Sequence, residues 1–406
     1  MRNHTSMKPI SPYPAFVGVW LLVLLLYSLD ASNILIYETT TAIATTLSIL
    51  APFSIVYFIL FFFRSLLKNC SSLTLKSPRT LEDNEKAIAQ RVRLMTYLFV
   101  VILLAEVALE GYIPLISMML GKTISQFDFG ISSVHGFLLA LGAINLTASY
   151  YIYLKYRNKK FLTYVFFYFA IFTLLVTRKM MVVAIIQMFF VYICLRGTPS
   201  TKRIYLIALL AIIGIIIFGL IGDIRTGREL FISLSRPNFE YPTWLPSGFM
   251  WVYIYITTPL LNLTNAIHSP TNFTYDLQFA CSVLPGVIRG SFGCISLGFD
   301  NDYQISGAFN VATGYIALYS SWGLAGIMVF SALHGGGAFL FSSKRNTTIK
   351  SILSYSVFMQ ITILLIFSNG FFNLNVIAQL LILSFCFRRC STLNPTTNQK
   401  SPLGFT

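Results

Sequence analysis

The sequence predicts an all-α, polytopic membrane protein with about ten to twelve transmembrane helices and one large loop on the outer side. Three observations predict it. The chain is 56% hydrophobic and 11% charged, less than half the charge a water-facing domain carries. Apolar runs of roughly 17–25 residues recur along it, long enough to cross a bilayer as helices. Lys and Arg collect in every second connection between those runs.

The runs lie near 15–36, 44–63, 94–115, 132–154, 161–177, 180–195, 204–222, 309–333, 349–368 and 371–387. The first follows a basic start (Arg2, Lys8), but Leu29-Asp30-Ala31-Ser32-Asn33 offers no small-residue cleavage site, so it reads as a retained helix. Between the second and third runs lies a basic stretch, 64–93. Further basic clusters follow the fourth run (Lys155, Arg157, Lys159, Lys160), the sixth (Arg196, Lys202, Arg203), the eighth (Lys344, Arg345, Lys350) and the tenth (Arg388, Arg389, Lys400). Placing these clusters in the cytoplasm puts 22 of the 29 basic residues there, with only Glu82, Asp83 and Glu85 as acids. Both termini are then cytoplasmic. The basic pI is a topological signature and not a nucleic-acid footprint.

Three regions result: an N-terminal bundle (1–222), a large outer loop (223–308), and C-terminal helices with a tail (309–406). The loop leaves and re-enters the same side, so it crosses the membrane an even number of times or not at all. Its apolar stretches, 249–263 and 277–288, suit interfacial or re-entrant elements; the first is broken by Pro259 and rich in aromatics. Trp244, Trp251, Tyr241, Tyr253, Tyr255 and Tyr275 read first as an interfacial belt and second as sugar-stacking faces. The six cysteines have no metal or redox spacing and read as unpaired thiols, with Cys281 and Cys294 the one couple an oxidising compartment could join. No nucleotide-binding or metalloprotease motif is present.

Arginine on the outer side runs against the orientation bias. Arg225, Arg228, Arg236 and Arg289 lie in the outer loop, and Arg178 with Lys179 forms a tight outer turn. A guanidinium stays charged and binds phosphate oxygens in a planar fork. Arg225 and Arg228, three apart, face one way if the preceding helix extends a turn. Arg289 sits in Pro285-Gly286-Val287-Ile288-Arg289-Gly290, where glycine lets backbone approach a ligand. The alternative is that Arg178 and Arg225 pair with Asp223, Glu229 or Asp128; the set as a whole favours phosphate. Sugar transfer from a lipid diphosphate needs cations for the leaving group and a base for the acceptor hydroxyl. Asp223, Glu229, Glu240, His268, Asp276, Asp300 and Asp302 are candidate bases. Asp300-Asn301-Asp302 lacks the spacing of a calcium loop, so neither metal nor cofactor is expected. His135 and His334 read as packing or capping residues.

The stretch Phe309-Asn310-Val311-Ala312-Thr313-Gly314-Tyr315, continuing to Trp322-Gly323-Leu324-Ala325-Gly326, resembles the Asn, Thr, Tyr, aromatic-Gly-x-x-Gly helix that follows the outer loop in bacterial O-antigen polymerases. Thr177-Arg178 resembles the family's arginine at that position, and the hydropathy of the whole chain is similar to theirs. The paired Arg-x10-Gly motifs of some members have no counterpart in the outer loops. The resemblance implies an inner-membrane glycosyltransferase that moves a growing glycan from undecaprenyl diphosphate onto the next lipid-linked repeat, with a chain-length regulator as partner. On this reading Arg225, Arg228 and Arg289, with Arg178 in support, hold diphosphate, and Arg236 is a further substrate-binding candidate. Asp223, Glu229 or His268 would act as base, and Asn310, Thr313 and Tyr315 would line the sugar site. A flippase would need short loops and cations inside its helices; an O-antigen ligase would share the donor but use a lipid A–core acceptor.

Overall fold

The computed structural model describes residues 10–70, 81–121, 129–269, 273–294, 303–343, 348–388 and 390–393. Its helices are α1 (Pro12–Tyr27), α2 (Thr39–Cys70), α3 (Glu85–Glu110), α4 (Pro114–Met119), α5 (Val134–Tyr156), α6 (Lys160–Leu174), α7 (Arg178–Arg196), α8 (Thr201–Thr226), α9 (Arg228–Ser235), α10 (Gly248–His268), α11 (Gly286–Arg289), α12 (Ile316–Ser343), α13 (Ile349–Leu364) and α14 (Leu374–Cys386). Two three-residue strands, β1 (Leu81–Asp83) and β2 (Ser391–Leu393), pair antiparallel. Among the described residues six helical segments are long and apolar enough to cross a membrane: Thr39–Leu66, Glu85–Met119, Val134–Tyr156, Arg178–Arg196, Thr201–Ile224 and Ile316–Ser342. α1, α6, α13 and α14 are apolar but shorter. The protein is a polytopic helical membrane protein.

Two aromatic-rich cores hold it together. α3, α5, α6, α7, α13 and α14 pack around α5, whose middle is enclosed from Leu138 to Ser149. α1, α2, α10 and α12 build the second core around Phe16, Trp20, Phe53 and Tyr315. α8 is the most apolar span and the least covered by protein, so lipid must cover most of it.

Polar contacts join several of the connections. At one end Asp83, before α3, receives Lys155 Nζ of α5 at 2.8 Å, the Tyr151 hydroxyl and the Ile349 amide of α13. Arg196 of α7 donates there to the Leu154 carbonyl at 2.6 Å. At the other end Asn238 donates to the Asp30 carbonyl, Ser32 to Ser235, and the Gly286 amide to Ser133.

Several expected boundaries move. The first run stops at Tyr27, because the polar residues 28–33 leave the helix: Asp30 takes a left-handed φ of 47°, and the Asn33 amide donates to the Arg236 carbonyl. The run expected at 309–333 begins at Ile316. Asn262 takes the carbonyls of Phe309 and Val311, and Thr313 receives the Tyr315 amide on its hydroxyl. That helix then continues to Ser343, bending at Gly323, whose φ of 60° suits glycine. The last run starts at Leu374, capped by Asn373.

The stretch expected at 249–263 forms the full helix α10, bent through Pro259. Its start meets α8 so closely that a Cβ on Gly219 would lie 2.3 Å from the Gly248 nitrogen. Its end meets Tyr37, before α2, and Tyr319, in the first turn of α12. Both ends therefore lie at the same end of the bundle, which makes α10 a bridge across that face. Cys281 and Cys294 are joined, their Cα atoms 5.8 Å apart, contrary to the unpaired reading. Sequence spacing could not show that the short helical turns of 278–292 fold the segment back on itself.

Candidate functional site

The end of the bundle bridged by α10 gathers the aromatic, acidic and cationic residues with no core to fill. Asp276 organises one wall. Its Oδ1 accepts from the Thr274 hydroxyl at 2.9 Å and the Gln278 amide at 3.0 Å, and its backbone carbonyl accepts Trp322 Nε1 at 2.8 Å. Tyr275 stands edge-on to Trp322, and Phe273 edge-on to both Tyr275 and Tyr319. Tyr275 and Trp322 remain exposed. This makes a surface of open ring faces beside a carboxylate, a combination suited to sugar rings, whose C–H faces pack on aromatics while their hydroxyls need acceptors.

His268, the last residue of α10, follows Ile267, whose carbonyl accepts from the Tyr319 hydroxyl at 3.4 Å. Its Nδ1 is 2.8 Å from the Thr264 carbonyl, and its ring packs against Tyr37. A carbonyl only accepts, so Nδ1 carries a proton and Nε2 is the ring nitrogen left to meet a ligand. His268 is exposed.

Arg225 and Arg228 do not form the expected pair. Gly227, with a φ of 85°, breaks the chain between Arg225 at the end of α8 and Arg228 at the start of α9. The two are therefore not one helical turn apart on a common face. The Arg225 side chain lies outside the described residues. Arg228 donates through Nη2 to the carbonyls of Pro242, Thr243 and Leu245, and its guanidinium lies 5.9 Å from the Tyr241 ring centre. Burial pushes the Tyr241 hydroxyl above its ordinary range, so it serves as a neutral donor to Pro246 at 2.8 Å. Asp223 closes the same junction by accepting from Ser247 at 2.7 Å. Arg228 and Asp223 thus hold the segment before α10.

Arg289 donates to the Leu284 carbonyl at 3.0 Å inside the loop closed by Cys281 and Cys294. Arg178, Arg236 and Glu229 are exposed. Among the described residues the only ion pairs are Glu106–His135 and Asp83–Lys155, so Arg178 has no carboxylate partner there. Val176, at a φ of 56°, makes the tight turn that presents Arg178 and Lys179.

Asn310 is exposed at the rim. Thr313 is buried as the cap just described, and Tyr315 is fully enclosed between Trp20 and Phe330. Neither offers a face to a sugar, because the chain turns inward at Gly314, where the amide bonds to Leu365. Asp128, Asp300 and Asp302 lie outside the described residues. His334 is buried among Phe16, Phe53, Phe358 and Phe371, with Nε2 3.1 Å from the Thr362 hydroxyl.

Sequence reasoning missed two features. Glu106 is fully buried near the end of α3 and pairs with His135; an acid inside an apolar run was the available signal. Lys179 lines a small cavity with Gln360, Ser368, Asn373, Asn375 and Gln379, and with Met180, Val183 and Val376. Three glutamines scattered over α7, α13 and α14 gave no sign of meeting. Among the described residues no cluster of His, Cys, Asp and Glu forms a metal site. No family model, no curated protein and no solved structure matches this chain.

Proposed function

We propose that this chain is a glycosyltransferase of the bacterial inner membrane that polymerises undecaprenyl-diphosphate-linked oligosaccharide repeats at the periplasmic face, with both termini cytoplasmic. The carrying observation is that one end of the bundle holds open aromatic faces (Tyr275, Trp322) beside Asp276, and that α10 ends at His268, one residue after the Ile267 carbonyl that accepts from Tyr319, whose ring packs on Phe273. That end is the one opposite the basic connections, which the positive-inside bias assigns to the outside. A disulfide within the 273–294 segment suits an oxidising compartment.

In this reading the acceptor hydroxyl attacks the anomeric carbon of the donor sugar. The bond from that carbon to the diphosphate oxygen breaks, and undecaprenyl diphosphate leaves with the electron pair. His268 Nε2 takes the hydroxyl proton, with Asp276 as the nearby acidic alternative. Arg178, Arg225 and Arg289 neutralise the leaving group. Arg228, Arg236 and Asp223 support the loop, and Asn310 contacts sugar at the rim. The flexible supply of repeats and the final chain length would fall to a separate regulator.

The test is a gel of surface lipopolysaccharide from a strain lacking the gene. Core bearing a single repeat and no ladder is the expected pattern. Bare core overturns the reading; polymer stranded on undecaprenyl diphosphate then marks a ligase, and its absence a flippase.

A further inference from the structure

On the face of the bundle built by α7, α13 and α14, a small cavity of about 50 Å3 has six polar residues among its ten lining residues: Lys179, Gln360, Ser368, Asn373, Asn375 and Gln379. One water needs about 10–15 Å3 by the same measure, so the space admits a group of several heavy atoms. Gln360 and Gln379 are 3% and 1% exposed. Gln187 Nε2 donates to the Oε1 of Gln379 at 2.8 Å and faces that of Gln360 at 3.5 Å. This leaves the NH2 groups of both glutamines uncommitted among the described residues. Lys179 has no carboxylate within ion-pair distance among those residues. The starts of α7 and α14 both meet at the cavity, and each contributes the positive end of its helix dipole. A lysine, amide donors and two helix starts around one space call for an anionic oxygen ligand.

The surroundings indicate what carries that anion. On the adjacent side of α14 an apolar groove of about 430 Å3 runs from Ser133 and Pro285 past Leu374, Ala378 and Leu381 to Phe385. Leu374, which lines the groove, stands between Asn373 and Asn375, which line the cavity. A molecule with a phosphate head and a long apolar chain can fill both at once by passing over the start of α14. A soluble anion would leave the groove unused.

We infer that this chain carries a binding site for the phosphate headgroup of a membrane lipid, with the head at Lys179 and the chain in the groove between α5 and α14. The site is independent of the glycosyl-transfer reading, and its test reads lipid occupancy and not polymer.

Purified full-length protein in detergent is titrated with dioleoyl phosphatidate, dioleoylglycerol or inorganic phosphate, and bound lipid is counted by native mass spectrometry. Saturable retention of phosphatidate over dioleoylglycerol, undisturbed by inorganic phosphate, is expected. Lys179→Gln should weaken it about tenfold or more, the size of one lost charge-assisted hydrogen bond. Lys179→Arg should retain it, which separates loss of charge from loss of fold, and Leu381→Trp should weaken it by filling the groove. Equal retention of dioleoylglycerol, or unchanged binding in Lys179→Gln, overturns the site. Full displacement by inorganic phosphate overturns the lipid assignment and leaves a soluble-anion site.

Discussion

The carboxylate of Glu106, wholly enclosed within α3, lies 2.8 Å from Nδ1 of His135 in the first turn of α5. The two helices also meet at Asn145 and Thr96, and the second Glu106 oxygen has no hydrogen-bond partner among the described residues. Removing one member leaves the other buried and unpaired. His135→Ala should destabilise the protein by about 3 kcal/mol or more, and Glu106→Gln, which removes the charge and keeps the shape, by much less. Thermal unfolding in detergent would rank them; equal losses would show that shape, and not charge, is what the site requires.

Arg228 illustrates how a cation chosen by sequence for phosphate is spent on backbone. Its Nη2 serves three carbonyls of the segment before α10. Arg228→Lys cannot reproduce that fork. We expect Arg228→Ala and Arg228→Lys to lose similar stability, about 1–3 kcal/mol. Arg289→Lys, by contrast, should keep most polymer formation if charge is what Arg289 supplies. Unfolding midpoints and the surface-polymer ladder measured on the same variants separate these roles.

The Cys281–Cys294 bond closes a short loop containing Arg289. Reduction or Cys281→Ser should free that loop at a cost of about 3 kcal/mol by loop-closure entropy. Mass analysis after alkylation, with and without reductant, should show two thiols protected in protein taken from intact membranes. Alkylation of both without reductant would place the loop in a reducing compartment and reverse the orientation.

His268 and Asp276 compete for the role of base. His268→Ala should lower transfer by about 10²–10⁴-fold while leaving the helix end folded, because the lost bond to Thr264 is one of many along α10. Asp276→Asn keeps the acceptor oxygen and should lower transfer far less. The opposite order, read from a transfer assay on lipid-linked repeats, would move the base to Asp276.

The sequence by itself determined the class of protein and the approximate place of its apolar helices, because hydrocarbon demands long uncharged runs. Only the tertiary structure decided that α10 bridges one end of the bundle, that Gly227 separates Arg225 from Arg228, and that Tyr315 faces inward between Trp20 and Phe330. It alone brought Gln187, Gln360 and Gln379 together beside Lys179. Periodicity along one segment reports which residues avoid water or lipid; it carries no information on which distant segment supplies the partner. That choice is made by packing between helices, where contacts as close as Gly219 on Gly248 fix the register of side chains far apart in the chain.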